Sequence, residues 1–331
     1  MQRIGVMGLE DGPEAGAGVG MLEVLAARSV SRAGLVIGGD EAGAHREGLA
    51  DVVMRTPDPA SPRAPESLWT MLKKASVDLL LPGSARSGAF LDACHDAWGA
   101  DGGPLRLVPS LARRKAAEPL ALFTALAKAS IEVAPYLPIA DYGRYWPVEF
   151  RLPCLALYAD GSMTRVGDAM GVAACARRGA VACVSADLQA RVEIAWIGNR
   201  VGKVVGMAAV RVLADDERGR PWAAVTCADE RLTLLANAVA KVVALPGPVL
   251  LQVEHTPSAS RIIGLRRAFP HWVEAAAKGG IDLISLAAKV ARKQRTTSPA
   301  SVEPGILFTQ TAEDIIVDAH AWESLAARPK D

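Results

Sequence analysis

Short apolar segments of strand length alternate with helical patterns through the first 110 residues of the chain. Residues 3–9 read RIGVMGL, residues 21–34 place apolar side chains at helical spacing, and residues 77–83, VDLLLPG, have the composition of a strand buried on both faces. Parallel strands need a crossover connection, which is usually a helix. The alternation therefore predicts an α/β class with a doubly wound parallel sheet in this region.

The pattern changes near residue 110. Residues 111–139 form a long helical pattern that ends in a proline-rich extended segment, and from about residue 146 the chain is rich in strands. Two of these, residues 247–256 and 261–267, are joined by a short turn, which predicts antiparallel pairing. The tail is typical of a linker, after which ILFTQTAEDIIVDAHAWESL would add a strand and a short helix. The predicted units are 1–110, 111–185, 186–295 and a linker and tail over 296–331.

Composition excludes several classes of protein. The formal net charge of +1 gives no reason to expect a nucleic-acid or membrane partner. No apolar run reaches the length of a membrane span and the first residues lack the features of a signal peptide, so we expect a cytoplasmic protein. The five cysteines have no CxxC spacing and the five histidines no ligand spacing with them, which argues against zinc. Neither a G-x-S-x-G stretch nor a Ser/His/Asp set is visible.

A glycine-rich stretch follows the first strand. Gly16, Gly18 and Gly20 precede a helix, and Asp40 lies about 20 residues later, as in a dinucleotide-binding unit. However, the loop is longer than that fingerprint allows and the third glycine comes too early. The spacing favours an ordinary loop between a strand and a helix.

The segment RIIGLRRAFPHW, residues 261–272, carries three arginines in its first seven residues and no carboxylate. It lies within residues 199–285, which resemble the C-terminal half of the ATP-grasp fold. The order of parts matches: a strand with a basic residue (Arg211), a G-x-x-W stretch (Gly219 to Trp222), a helix, a strand that opens with Gly-Pro, and a signature ending in F-P-x-W. Residues 1–110 resemble the α/β domain that precedes this fold, so the resemblance covers nearly all of the chain before the tail.

The resemblance implies an enzyme that joins a carboxylate to an amine or thiol through an acylphosphate, with ATP and magnesium. Magnesium needs oxygen ligands, and in this sequence the family's ligand positions fall on Gln252, Gly264 and Arg266. Glu254, two residues after Gln252 on the same face of the strand, is the substitute that the chain offers. The signature arginine is replaced by Ala268, and the phosphate-binding lysine falls near Arg151.

These replacements predict that magnesium-dependent phosphoryl transfer is lost. The chain then either keeps the fold with a dead site, or uses Arg266 and Arg267 in place of magnesium to hold an anion. A guanidinium repels a divalent cation but suits a phosphate or carboxylate. ATP remains an expected ligand by resemblance, whereas magnesium is not expected. The alternative is that the signature arginines have no binding role: they would lie at a solvated strand end or form ion pairs with Glu254 or Glu274. The candidate nucleotide- or anion-binding residues are Arg151, Arg211, Arg266 and Arg267.

Three functions stay open at this point. The first is a catalytically degenerate ATP-grasp protein that acts as a nucleotide- or anion-binding or scaffold subunit, with a protein or peptide partner from a peptide- or small-molecule-modification pathway. The second is a working ATP-dependent carboxylate-amine ligase with a relocated metal site. The third is a dinucleotide-dependent enzyme that uses the glycine stretch. The relocated metal site would be built from Glu254, Glu193, Asp187 or Asp168.

Overall fold

The protein is described by a computed structural model of residues 3–10, 16–37, 41–99, 102–142, 150–216, 219–296 and 301–310. Over these ranges the chain forms three sheets that are flanked by helices. None of the helices in these ranges combines the length and the hydropathy needed to cross a bilayer.

The N-terminal sheet has four parallel strands in the order β3-β2-β1-β4, which confirms the predicted doubly wound unit. The chain first steps from β1 to β2 and β3, and then returns to place β4 on the other side of β1. The order therefore reverses between β1 and β4. The elements are β1 (Arg3–Met7), α1 (Gly18–Ala27), β2 (Arg32–Val36), β3 (Val52–Arg55), α2 (Ala64–Lys74), β4 (Val77–Pro82) and α3 (Ala85–Trp98).

A second sheet of four short antiparallel strands, in the order β5-β8-β6-β7, forms a small unit that we call the lid. Two helices, α4 (Leu111–Ala116) and α5 (Pro119–Lys128), lead into it. Its own core contains α6, which packs on β7 and β8. The lid elements are β5 (Tyr136–Pro138), β6 (Cys154–Tyr158), β7 (Met163–Val166), α6 (Ala169–Arg177) and β8 (Ala180–Val184).

The third sheet has six antiparallel strands in the order β13-β12-β9-β10-β11-β14 and lies at the centre of the molecule. A bulge between Gln252 and Val253 shifts the register of β12 against β13. The elements are β9 (Arg191–Gly198), β10 (Val204–Asp215), β11 (Pro221–Cys227), α7 (Glu230–Val243), β12 (Gly247–His255), β13 (Ser260–Arg266), α8 (Val273–Lys278), α9 (Leu283–Ala291) and β14 (Leu307–Thr309).

Alternating residues of the central sheet bury its two faces in different cores. Ala195 and Leu250 point into a core shared with α1, α8 and α9, so the N-terminal unit packs on this face. Ile194 and Leu251 point into the other core, which α5 and α7 cover. A strand buried on both faces reads as a continuous apolar run, and that explains the sequence of β12.

The structure differs from the sequence expectations at several elements. Residues 104–110, PLRLVPS, have the apolar composition of a strand, but they form only an isolated bridge between Leu105 and Leu79. The tail is not a free linker over 301–310, because Thr226 binds Glu303 and Ile306 through its side chain and β14 pairs with β11. The short helix expected after β14 lies outside the described residues. The sequence pattern missed β7, β11 and α6.

Candidate functional site

A cavity of about 500 Å³ opens where the N-terminal sheet, the lid and the central sheet meet. This volume lies within the range of small-molecule sites. The wall from the N-terminal unit comes from the loops after β1 and β4, the lid contributes the turn between β6 and β7, and the floor is the central sheet. The polar side chains that line it are Glu10, Ser84, Arg86, Asp160, Ser162, Glu193, Arg220, Gln252, Arg266 and His271.

At the N-terminal wall, Ser84 caps helix α3 in a reciprocal capping box with Ser87. The Ser84 hydroxyl also donates to Oε1 of Glu10 at 2.9 Å. The other oxygen of Glu10, Oε2, is buried and has no hydrogen-bond partner. Burial, and then the nearby charge of Glu41, raise the pKa of Glu10 above its ordinary value.

The floor of the cavity contains a buried carboxylate held by two neutral donors. Glu193 on β9 accepts from Nε2 of Gln252 at 3.0 Å and from Nε1 of Trp272 at 2.8 Å. All three side chains are at most 2% exposed. Because the amide nitrogen of Gln252 faces Glu193, its carbonyl oxygen is left buried without a partner. The floor therefore holds an acceptor that no group among the described residues satisfies.

Arg266 lies at the end of β13 on the cavity face. Its Nε is buried and has no hydrogen-bond partner, and in the part of the chain that the structure describes no carboxylate oxygen lies within 4.0 Å of its guanidinium. Burial lowers the pKa of Arg266, while the charges of Asp160 and Glu193 oppose that effect. An arginine stays protonated even so, and the cavity thus contains a cation that is short of acceptors.

The turn of the lid packs directly on Arg266. Gly161 has a φ of +78°, and a Cβ built there would lie 2.3 Å from the carbonyl oxygen of Leu265 and 3.0 Å from Cγ of Arg266. Only glycine fits this contact at that backbone conformation. The close approach places Asp160 beside the guanidinium.

His271 completes this side of the cavity. Burial and the positive charges of Arg266 and Arg220 lower the pKa of His271 to about 3, so its ring is neutral at physiological pH. Arg220 itself is held by Asp216, with Nε 2.8 Å from Oδ2. The neutral ring adds a hydrogen-bonding group without adding charge.

The four arginines predicted from the sequence do not come together. Arg267 leaves the cavity and forms a bidentate ion pair with Asp92 of α3. Arg211 is exposed on β10, on the face of the central sheet opposite Glu193. Arg151 is exposed before β6, where its backbone nitrogen donates to Ser185. Of the four, Arg266 alone lines the cavity.

The carboxylates considered for a relocated metal site also lie apart. Glu193 lines the cavity, but Glu254 lies 3.7 Å from Arg261 and accepts a long bond of 3.4 Å from the backbone of Asp187. Asp168 caps α6 in the lid. Within the described ranges, no group of three or more His, Cys, Asp or Glu side chains is arranged to hold a metal ion.

The residues at the family's ligand positions do not fit magnesium. Gly264 supplies no donor, and Arg266 brings a positive charge to the place where a cation would bind. The Glu193 carboxylate already accepts from Trp272 and Gln252. The carbonyl oxygen of Gln252 is the one free ligand atom among the described residues at these positions.

The glycine stretch is explained by close packing. A Cβ on Gly16 would lie 2.0 Å from the carbonyl oxygen of Gly83, and one on Gly18 would lie 2.0 Å from that of Gly8. A Cβ on Gly20 would lie 2.8 Å from Oε1 of Glu274, where α1 packs on α8. These glycines let the loops after β1 and β4 touch and so form the cavity wall. Asp40, the acidic residue of the dinucleotide pattern, lies outside the described residues.

A Ser/His/Asp set, which the sequence did not reveal, lies away from the cavity. The ring of His255 contacts Asp229 at 3.0 Å and Ser260 at 2.7 Å, and Arg231 lies 3.0 Å from the same ring. Asp229 also caps helix α7. The set therefore ties the hairpin between β12 and β13 to the start of that helix.

Sequence reasoning missed Glu10, Ser84, Asp160 and His271. A signal existed for two of them, because Glu10 and Ser84 follow the carboxyl ends of β1 and β4, where ligands bind in doubly wound sheets. His271 is the variable residue of the F-P-x-W segment, so the signature indicates no role for it. Nothing in the sequence marked Asp160.

No protein-family model and no curated protein sequence matches the chain. Solved structures match well. An L-amino acid ligase from Bacillus licheniformis has a TM-score of 0.62 at 11% identity, with 89% of this chain and 75% of that chain covered. A biotin carboxylase from Campylobacter jejuni, solved as a β-γ-ATP complex, has 0.65 at 16%, with 91% and 73% covered.

The biotin carboxylase domain of 2-oxoglutarate carboxylase from Hydrogenobacter thermophilus, solved with MgADP, ADP and bicarbonate, has a TM-score of 0.63 at 12% identity, with 88% and 70% covered. At these identities the likeness concerns the fold. It agrees with the sequence resemblance over the parallel N-terminal sheet, the lid and the central antiparallel sheet. This chain has the ATP-grasp fold.

Proposed function

We propose that this protein is a catalytically degenerate ATP-grasp protein that binds an anionic ligand, a nucleotide by preference, with the guanidinium of Arg266 in the place of magnesium. The observation that carries the proposal is the position of Arg266. It lines the cavity together with Gln252, at positions where the resemblance implies metal ligands, and its buried Nε has no partner among the described residues.

Arg266 is half-buried, and its buried Nε has no acceptor among the described residues. A partly desolvated cation is costly where its lost hydration is not replaced. A phosphate or carboxylate oxygen would restore that hydrogen bonding and neutralise the charge, and the planar guanidinium presents paired donors to it. The charges of Asp160 and Glu193 act to raise the pKa of Arg266, but neither carboxylate forms an ion pair with it within 4.0 Å. The arrangement favours a ligand anion over an internal ion pair.

The fold supports a nucleotide as the class of anion, since two of the structural neighbours were solved with β-γ-ATP or MgADP. Without a magnesium set, the same cleft would hold the phosphates without transferring one. A protein that binds but does not turn over a nucleotide fits a subunit that works with a protein or peptide partner from the same pathway.

Titration of ADP by calorimetry in EDTA tests the proposal. Arg266→Met should weaken binding by about tenfold or more, the loss expected for a charge-assisted hydrogen bond. Arg261→Met is the matched control: Arg261 lies on the same strand, is 44% exposed and makes only long contacts of 3.7 and 3.8 Å. It should bind ADP like the wild type.

Equal affinity in Arg266→Met and wild type would overturn the role of Arg266, and so would a wild-type protein that binds neither ADP nor ATP. The loss of catalysis has its own test. Incubation with ATP, magnesium and a panel of carboxylates and amines should release no ADP above the rate without protein. Release that depends on a carboxylate would favour the working ligase instead.

A further inference from the structure

The proposed role of Arg266 uses one wall of the cavity and leaves the N-terminal wall unassigned. That wall follows β1 and β4, the two strands between which the sheet order reverses. In open α/β sheets, ligands bind in the crevice at this switch point, outside the carboxyl ends of the strands. The same wall contains the close contact of Gly16 with the backbone of Gly83, which fixes the two loops against each other.

Glu10 is the acidic group of this wall, and it is incompletely satisfied. Ser84 donates to one of its oxygens, while Oε2 is buried without a partner. The neighbouring Glu41 differs, because its two oxygens accept from the backbone nitrogens of Leu9 at 2.7 Å and Ile37 at 2.6 Å. Glu41 is thus a structural carboxylate, whereas Glu10 has capacity for a further donor.

Arg86 does not fill that capacity. It is exposed on α3, and its charge is the smallest of the influences on the pKa of Glu10. Among the described residues, no ion pair within 4.0 Å joins the two side chains. Among the described residues no group donates to Oε2 of Glu10, so a ligand in the cavity can supply this donor.

We infer that Glu10 and Ser84 form a subsite for an amino group of the ligand. An ionised carboxylate accepts hydrogen bonds only, and an ammonium is a compact cation with three donors to offer. Arg266 on the facing wall takes an anionic group, so the cavity suits a ligand that carries both, an amino acid or a short peptide. The assignment of an amino acid or a short peptide rests on the proposed function of Arg266, whereas the amine subsite does not depend on Arg266.

Calorimetry with glycine, diglycine and triglycine, each compared with its N-acetyl form at neutral pH, tests the subsite. Acetylation removes the ammonium charge and keeps the carboxylate, and the three lengths serve as a ruler for the distance between the walls. At least one free-amine compound should bind about tenfold or more tightly than its acetylated form, the size of one charge-assisted hydrogen bond.

Glu10→Gln, which preserves the shape of the side chain, should abolish this preference. Glu66→Gln, at an exposed position in the first turn of α2, should retain it. The inference is overturned if the acetylated compounds bind as well as the free amines, if the preference survives in Glu10→Gln, or if none of the six compounds binds at millimolar concentration.

Arg266→Met separates this inference from the proposed function. It should weaken the free and acetylated compounds alike and leave their ratio unchanged. If instead Arg266→Met has no effect while Glu10→Gln removes the amine preference, the proposed function fails and the amine subsite stands. If ADP binds through Arg266 and no amine preference exists, the amine subsite fails and the proposed function stands.

Discussion

The two ends of the segment 261–272 differ in what their side chains contact. At its C-terminal end, Phe269 and Trp272 are buried in the core between the central sheet and α8 and α9. At its N-terminal end, Arg266 lines the cavity, and neither Arg266 nor Gly264 has the oxygen ligand that the resemblance implies at these positions. Side chains that carry packing energy are constrained by close-packed neighbours, whereas side chains that face a cavity are constrained only by what they bind.

This contrast fits a chain that has the ATP-grasp fold and that we propose to lack the metal ligands of its family. Trp272 connects the packing end to the cavity, because its ring is in the core while its Nε1 donates to Glu193 on the cavity floor. The packing end thus positions a carboxylate of the cavity.

Removal of Trp272 should therefore produce the largest effect. Trp272→Ala leaves a cavity and strips a donor from the buried Glu193, so we expect a loss of about 3–5 kcal/mol in the free energy of unfolding. Trp222→Ala is the control, since Trp222 is 44% exposed on β11. Urea denaturation measures both. A loss below about 1 kcal/mol for Trp272→Ala, a typical value for any substitution, would remove the contrast between the two ends.

The contact of the lid with Arg266 should give a smaller effect. Gly161→Ala places a Cβ 2.3 Å from the carbonyl oxygen of Leu265 at a φ of +78°, whereas Gly179→Ala meets nothing within 4 Å at a φ of +89°. Both variants carry a strained backbone, costing about 1 kcal/mol. Only Gly161→Ala should also displace the lid turn and weaken ADP binding. Equal ADP affinity in the two variants would show that the lid turn does not shape the binding end.

The smallest expected effect is a pH dependence of the free energy of unfolding, which comes from Glu274 on α8, next to the packing end. Burial and the nearby carboxylate of Glu23 on α1 raise the pKa of Glu274 on α8 to about 7 from its ordinary value of 4.5, although Lys278 and Arg46 act in the opposite direction. The folded state therefore binds a proton that the unfolded state releases. The stabilisation is complete below pH 4.5 and is lost as the pH rises to about 7.

Glu274→Gln should flatten this fall in the free energy of unfolding between those pH values. Denaturation curves at several pH values measure the slope, and Glu66→Gln provides a matched variant at an exposed carboxylate. A slope in Glu274→Gln equal to that of the wild type would mean that the α1–α8 contact does not hold a proton.

Local patterns in the sequence were enough to predict part of this structure. The alternation of strands and helices gave the parallel sheet, and the period of a strand puts Gly264 and Arg266 on one face. The same period turns Arg267 away, but its partner Asp92 lies 175 positions earlier in the chain. No local pattern could have identified that ion pair.

The floor of the cavity shows the same limit. Glu193 and Trp272 are 79 positions apart, and their hydrogen bond depends on how β9 and the start of α8 pack. Glu10 and Ser84, 74 positions apart, become neighbours only once β1 and β4 are adjacent. Strand order, which the sequence did not specify, decides which polar groups share the cavity.

We propose above that the guanidinium of Arg266 takes the place of a divalent cation. The most direct test is the dissociation constant of ADP for the wild-type protein, measured by calorimetry in EDTA and again with excess magnesium. We expect ADP to bind in EDTA, and we expect magnesium not to strengthen this binding, because MgADP brings a second cation to Arg266. Affinity that rises about tenfold or more with magnesium would contradict it.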